Sequence, residues 1–277
     1  MEDKYLIFGT GTGCDAFLVN ADPDDYDSIL GFIDNNKDKQ GTLYRGKRIF
    51  SVDEAKDLEY NKIIIASLYY KEIKESLINK GIPEEKITSI IRDFTCSNFK
   101  QLVFLDKEKH KLKNKNFSLI SPYCWGLFLY RFLGVEYKTP FAGSFIPPEF
   151  YLKLVENLNH YLNAPLEITP ISGYEHIGTF CRITMDDIFI DFPHEKDPEI
   201  IEKKWNKRLE RLDFNNLFIH YGNINHSLMT TDMNEKMKNF ENRLTITREA
   251  SYIYSGDKKI ITEKEPVDLI KWFNKEL

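Results

Sequence analysis

Tyr5-Leu6-Ile7-Phe8-Gly9-Thr10-Gly11-Thr12-Gly13 decides how the first third of the chain folds. Four consecutive apolar residues followed by glycines at alternate positions read as a buried strand entering a glycine turn and then a helix. Downstream, the turn Asp22-Pro23-Asp24-Asp25 leads to Ser28-Ile29-Leu30-Gly31-Phe32-Ile33-Asp34, a second strand. Ser51-Val52-Asp53-Glu54 has the capping-box form that starts a helix. Lys62-Ile63-Ile64-Ile65-Ala66 is a continuous apolar run, as a strand covered on both faces must be. A helix from Tyr70 to Lys80, stopped by Gly81 and Pro83, precedes Ile87-Thr88-Ser89-Ile90-Ile91. Strands alternating with helices through short links give a parallel, doubly wound sheet of about five strands.

The run Asp106-Lys107-Glu108-Lys109-His110-Lys111-Leu112-Lys113-Asn114-Lys115-Asn116 interrupts this pattern. It reads as a solvated linker rather than a nucleic-acid patch, because the chain as a whole carries a formal charge of −5. The expected organisation is therefore α/β in two domains: a small Rossmann-like, nucleotide-type domain over residues 1–105 and a mixed α/β domain over residues 116–277. In the second, Phe117 to Ile120 reads as a strand, Ser121 to Gly126 as a turn and Leu127 to Leu133 as an apolar helix. Pro147-Pro148-Glu149 opens another helix running to Leu162. Arg182 to Thr184 and Ile188 to Phe192 form a hairpin around Met185-Asp186-Asp187. Pro198 to Leu212 is a charged helix and Leu217 to Tyr221 a strand. A helix over Asp232 to Phe240, a turn at Asp257-Lys258-Lys259 and an amphipathic helix over Val267 to Lys275 complete the reading.

Composition narrows the partners. With 42% hydrophobic and 14% aromatic residues the 277-residue chain can fill real cores, so wholesale disorder is excluded. An acidic balance leaves no basic footprint for nucleic acid or an anionic membrane, which favours small molecules or proteins as partners and leaves the oligomeric state open. Cys14, Cys96, Cys124 and Cys181 are scattered, with no CxxC spacing for zinc or a redox pair, and read as free thiols of a reducing compartment. A strand beginning at Lys4 leaves no room for a signal peptide, and no apolar run reaches the roughly 18 residues of a membrane span. The expectation is a cytoplasmic protein without an integral membrane segment.

The glycine turn suits a phosphate, since glycine admits close backbone approach and a helix N-terminus offers N–H groups. Gly9, Gly11 and Gly13 are candidate cofactor-binding positions, and Asp34 stands where an acid would meet a ribose hydroxyl. The dinucleotide pattern is incomplete, with Cys14 at the place of its third glycine, which argues against hydride transfer. What remains is a nucleotide or nucleotide-sugar moiety, or a turn kept only for tight strand–helix packing.

Cys124 is the candidate nucleophile, because a thiol at a strand-to-helix turn lies where the helix dipole favours thiolate. His194, at the end of Asp191-Phe192-Pro193-His194-Glu195, is the candidate base. The alternatives are an inert buried cysteine and a solvated turn histidine. Trp125 beside the thiol is either a substrate platform or core. Lys204, Arg208 and Arg211 fall at i, i+4 and i+7 of one helix, a face able to bind phosphate or carboxylate or to pair with Glu202 and Glu210. His220, His226 and Asp232 are spaced too loosely for a metal site, and none is proposed; His110 and His160 read as exposed.

Two resemblances add to this. Phe8-Gly9-Thr10-Gly11, Gly31-Phe32-Ile33-Asp34-Asn35-Asn36, Gly46-Lys47-Arg48-Ile49 and Ile63-Ile64-Ile65-Ala66-Ser67 resemble the N-terminal domain of sugar O- and N-acyltransferases of the sialic-acid and bacillosamine type. That resemblance implies a sugar nucleotide held by this domain. Phe117 to Gly126, Tyr137 to Gly143, Phe192-Pro193-His194 and Lys204 to Arg211 resemble the domain of unknown function 1919 family of exopolysaccharide biosynthesis proteins. Together they imply an enzyme of capsule or exopolysaccharide assembly that transfers an acyl or similar group to a sugar or sugar nucleotide. A papain-like cysteine hydrolase and a non-enzymatic sugar-nucleotide binding protein are the other readings.

Overall fold

The computed structural model describes residues 3–19, 21, 23–67, 69–90, 99–172, 178–221, 236–237, 240–246, 251–255, 258–262 and 268–277. The chain divides into two compact units, Met1–Lys107 and Glu108–Leu277.

In the first unit, β1 (Tyr5–Phe8) leads through α1 (Thr12–Leu18) and α2 (Pro23–Asp27) to β2 (Ile29–Ile33). A ribbon of β3 (Leu43–Tyr44) and β4 (Lys47–Phe50) follows, then α3 (Val52–Lys56), β5 (Lys62–Ile65), α4 (Tyr70–Asn79) and β6 (Ile87–Ser89). The sheet order is β3-β4-β2-β1-β5-β6. β4, β2, β1, β5 and β6 run parallel, and β3 pairs antiparallel on β4. Helices on both faces keep Leu6, Ile7, Ile63, Ile64 and Ile65 out of water, which is why these strands read as unbroken apolar runs. Ser51 caps α3 reciprocally with Glu54: the Glu54 N–H donates to Ser51 Oγ at 3.1 Å and the Ser51 N–H to Glu54 Oε2 at 2.8 Å.

The charged run beginning at Asp106 is not all linker. α5 (Phe99–Glu108) carries its first three residues, and a 3-10 turn over Lys109–Lys111 follows. Phe99, Leu102 and Leu105 recur every third residue and are buried, while Asp106, also buried, pairs with Lys62 at 2.8 Å. The lysines of this stretch hid the apolar spacing of the helix before it.

The second unit contains two sheets. β7 (Ser118–Ile120), α6 (Trp125–Leu133), α7 (Pro148–Glu156) and α8 (Leu158–Asn163) precede an antiparallel meander of β8 (Glu167–Ser172), β9 (Thr179–Met185) and β10 (Ile188–Phe192). The expected single helix after Pro147 is broken at Asn157, and β8, with Pro170 inside it, was not anticipated; it is an edge strand, where proline is tolerated. α9 (Pro198–Leu209), capped by Asp197, leads to β11 (Leu217–Tyr221). β12 (Asn242–Ile246), β13 (Ser251–Ser255), β14 (Lys258–Thr262) and α10 (Leu269–Phe273) complete the unit. Lys258 and Lys259, expected in a turn, begin β14, and the helix expected over 232–240 lies largely outside the described residues. The second sheet has the order β14-β13-β12-β11-β7, with β7, β11 and β12 parallel.

Aromatic packing joins these layers. Phe117 stacks on Tyr130 of α6 and on Phe273 of α10, with centroids 5.1 and 4.0 Å away. The Tyr130 hydroxyl donates to the Phe117 carbonyl and accepts from the Leu119 N–H, tying α6 to β7. Trp205 of α9 meets Phe141 edge-on, with the meander residues Ile183, Ile190 and Phe192 in the same core. No helix among the described residues is long and apolar enough to cross a membrane.

Candidate active site

The C-terminal ends of the parallel strands β7 and β11 lie side by side, the position at which open α/β sheets hold their ligands. β7 gives way to Ser121-Pro122-Tyr123-Cys124, and Cys124 is the N-cap of α6. Ser121 Oγ lies 3.0 Å from His220 Nδ1 and 3.1 Å from the Tyr123 carbonyl, bracing the turn from beneath. The Ile146 N–H donates to the Pro122 carbonyl at 2.9 Å. Gly126 packs close beneath the turn: a Cβ there would stand 3.1 Å from Ser121 Cβ. Cys124 is thereby held half-buried at the start of a nine-residue helix.

His194 arrives from the other sheet. β10 ends at Phe192, and the Glu195 N–H donates back to the Phe192 carbonyl at 3.0 Å, closing a turn with Pro193 and His194 at its centre. The Cys181 N–H binds the Glu195 carbonyl, and Glu195 pairs with Lys204 of α9, so the turn is pinned on both sides. The exposed imidazole brings Nε2 to 3.4 Å from Cys124 Sγ. These two side chains, 70 positions apart in sequence, form a thiol–imidazole pair.

His220 is a different kind of histidine. It is buried, its ring packs 4.0 Å from that of Trp125, and burial pulls its pKa from 6.5 to about 3, so it stays neutral. The Tyr151 hydroxyl lies 2.8 Å from the His220 carbonyl and 3.1 Å from that of Ile120, joining the two strand ends. Trp125, 1% exposed, is core here and presents no platform to a ligand.

On α9, Lys204 is engaged by Glu195, and Arg208 donates through Nη1 to the Ala142 carbonyl at 2.9 Å and lies over the Tyr137 ring. The helix ends at Leu209, short of the expected Leu212, so Arg211 stands in the turn beyond it and pairs with Glu136. Burial pulls the Arg208 guanidinium below the usual arginine range, partly offset by Tyr137 and Glu195. His160, exposed, pairs with Asp186 at 3.0 Å. His226, Asp232 and Cys96 fall outside the described residues. Cys14 and Cys181 are buried, which raises both thiol pKa values, that of Cys14 to about 12.

In the first unit, Gly9 adopts φ +103°, a backbone conformation that favours glycine, and a Cβ on Gly13 would clash with the Ala66 carbonyl oxygen at 2.8 Å. Gly11 has nothing within 4 Å of a would-be Cβ. Asp34 accepts from Thr10 Oγ1 at 2.5 Å and from the Asn36 N–H at 2.9 Å, with Lys39 at 3.5 Å. These hydrogen bonds and Lys39 outweigh partial burial, the largest influence on Asp34, and keep its carboxyl below the usual carboxylate range. Its oxygens are thus already engaged by the protein at the place where a ribose hydroxyl was expected.

Residues 95–274 match the family described as Domain of unknown function (DUF1919). The chain belongs to this family. Residues 1–88 are similar to the family described as C2185-like, N-terminal. A relative from Haemophilus influenzae, described as "Uncharacterized protein", is 28% identical over 138 residues, half of this chain. The chain covers 62% of that relative's length. The Cys124–His194 pair of this DUF1919 chain therefore lies wholly within the matched segment.

Sequence reasoning missed Ser121, Arg131 and Tyr137. Counting from Cys124 along α6 would have found Arg131 at i+7; Ser121 needed the pairing of β7 with β11, which only the fold supplies.

Proposed function

We propose that the chain is a cysteine-dependent transferase that moves an acyl group onto a sugar or sugar nucleotide in capsule or exopolysaccharide assembly. The observation that carries this reading is the 3.4 Å approach of Cys124 Sγ to His194 Nε2 at the N-terminus of α6. Neutral His194 takes the thiol proton, and the thiolate adds to the donor's acyl carbon. The negative oxygen formed there faces the helix end, where first-turn N–H groups and the dipole favour an anion. Collapse breaks the bond to the leaving group, which takes the proton from His194, and a thioester remains on Cys124. His194 then removes the proton of the acceptor hydroxyl, whose oxygen attacks the thioester. The thiolate leaves and is reprotonated by His194. With water as acceptor the same pair is a hydrolase, so the acceptor separates the two readings.

Alkylation of native protein by iodoacetamide across pH, with peptide mass spectrometry, tests the dyad. Cys124 should react well below pH ~8.5, the value of a free thiol, and His194→Ala should move the profile upward. Protection of Cys124 until the protein unfolds, or a profile indifferent to His194→Ala, refutes the reading and leaves a binding protein. With p-nitrophenyl acetate as donor, acetyl recovered on UDP-glucose marks a transferase, and acetate alone marks a hydrolase.

A further inference from the structure

Cys124, Phe128 and Arg131 fall at i, i+4 and i+7 of α6, almost two full turns, and share one side of the helix. They are half-buried or exposed, whereas Trp125, Leu129, Tyr130 and Phe132 face the core. Lys204 and Arg208 lie four apart on α9, and Arg211 follows in the turn just past its end. The two sets are tied together at both ends. At one end Cys124 meets His194, and the adjacent Glu195 pairs with Lys204. At the other, Arg131 Nε donates to the Tyr137 hydroxyl at 2.9 Å, Arg208 lies 5.0 Å from the centre of the same ring, and Arg211 pairs with Glu136.

The charge along this track does not balance. Four cations, Arg131, Lys204, Arg208 and Arg211, stand against two carboxylates, Glu136 and Glu195. Among the described residues, neither Arg131 nor Arg208 has a carboxylate within ion-pair distance; their hydrogen bonds go to a phenol and a backbone carbonyl. A guanidinium carries five N–H donors in a planar fork, so each retains most of its donors for a ligand. A half-buried arginine left this way costs free energy that a bound oxyanion recovers. The excess of two positive charges matches a dianion better than a single carboxylate.

We infer that Arg131 and Arg208, both in contact with Tyr137, form a subsite for a phosphoryl or diphosphoryl group. It lies ~10 Å along α6 from the Cys124 thiol. Resting on the thiol-transfer reading, this makes the substrate a phosphorylated molecule whose reacting group sits that far from its phosphate. Both a sugar nucleotide as acceptor and a coenzyme A thioester as donor carry such a group.

Calorimetric titration of the full chain with inorganic pyrophosphate tests the subsite. Arg208→Gln and Arg131→Gln should each weaken binding about tenfold or more, the value of a charge-assisted hydrogen bond. Lys113→Gln removes the same charge from a lysine that pairs with Glu276, away from the track, and should change binding little. No binding, or equal weakening by all three variants, overturns the subsite. If Arg208→Gln fails to fold, the exposed Arg131 decides the matter. Cys124→Ser separates this inference from the one beneath it: pyrophosphate binding should survive the loss of the thiol. A reactive Cys124 without pyrophosphate binding sinks the subsite alone, and pyrophosphate binding beside an inert Cys124 sinks only the thiol chemistry. Tighter binding of UDP-glucose than of coenzyme A assigns the phosphate to the acceptor, and the reverse assigns it to the donor.

Discussion

His220 should make the second unit acid-sensitive. Its imidazole is buried against Trp125 and titrates at about 3 in the folded chain, against 6.5 when exposed. Between these values the unfolded chain holds a proton that the folded chain lacks. The contribution of His220 is therefore complete above pH 6.5 and declines as pH falls toward 3. Each unit of pH in that window is worth ~1.4 kcal/mol, and allowing for partial protonation near 6.5, lowering the pH from 7 to 5 removes about 2 kcal/mol. All three tryptophans, Trp125, Trp205 and Trp272, lie in the second unit, so their fluorescence during urea unfolding follows that unit. Carboxylates also titrate as the pH falls, and His220→Asn, which keeps an amide near Ser121, isolates the histidine. Wild type should lose about 2 kcal/mol more than the variant over this interval. Equal losses would show that His220 accepts a proton while folded, and the argument from burial would fail.

Two further substitutions probe the framework. Gly13→Ala should destabilise the first unit by roughly 1–3 kcal/mol, because the methyl meets the Ala66 carbonyl at 2.8 Å, whereas Gly11→Ala, in open space, should fall within about 0.5 kcal/mol. Circular dichroism melting compares the pair, and equal effects would remove the packing account of Gly13. Tyr151→Phe leaves the Ile120 and His220 carbonyls without their shared hydroxyl and should cost about 1–2 kcal/mol by the tryptophan assay; no loss would mean water replaces it.

Much of the first unit was legible in sequence because its strands are apolar runs and its turns carry glycine, proline or a capping box. The second unit was harder. β8 contains Pro170 and shows no clean alternation, and α5 ends in lysines that read as linker. Cys124 and His194 stood out by residue type and by position at element ends, but nothing in sequence specifies a 3.4 Å approach across two sheets. His220 looked like a loose metal-ligand candidate because its burial comes from Trp125 and Tyr151, neighbours only in the fold. Asp34 had the right spacing for a ribose, and its engagement by Thr10 and Lys39 could be seen only in three dimensions.

The pairing of β7 with β11 also sets an order of events during synthesis. Ser121 and His220 are 99 positions apart, and Phe117 completes its stack only with Phe273. The first unit closes through local β-α-β contacts and can fold while the rest is still being made. The segment bearing Cys124 must wait for its neighbour strand and final helix to emerge. Until then its apolar residues, among them Leu119, Ile120 and Leu129, stay exposed to chaperones and to other nascent chains.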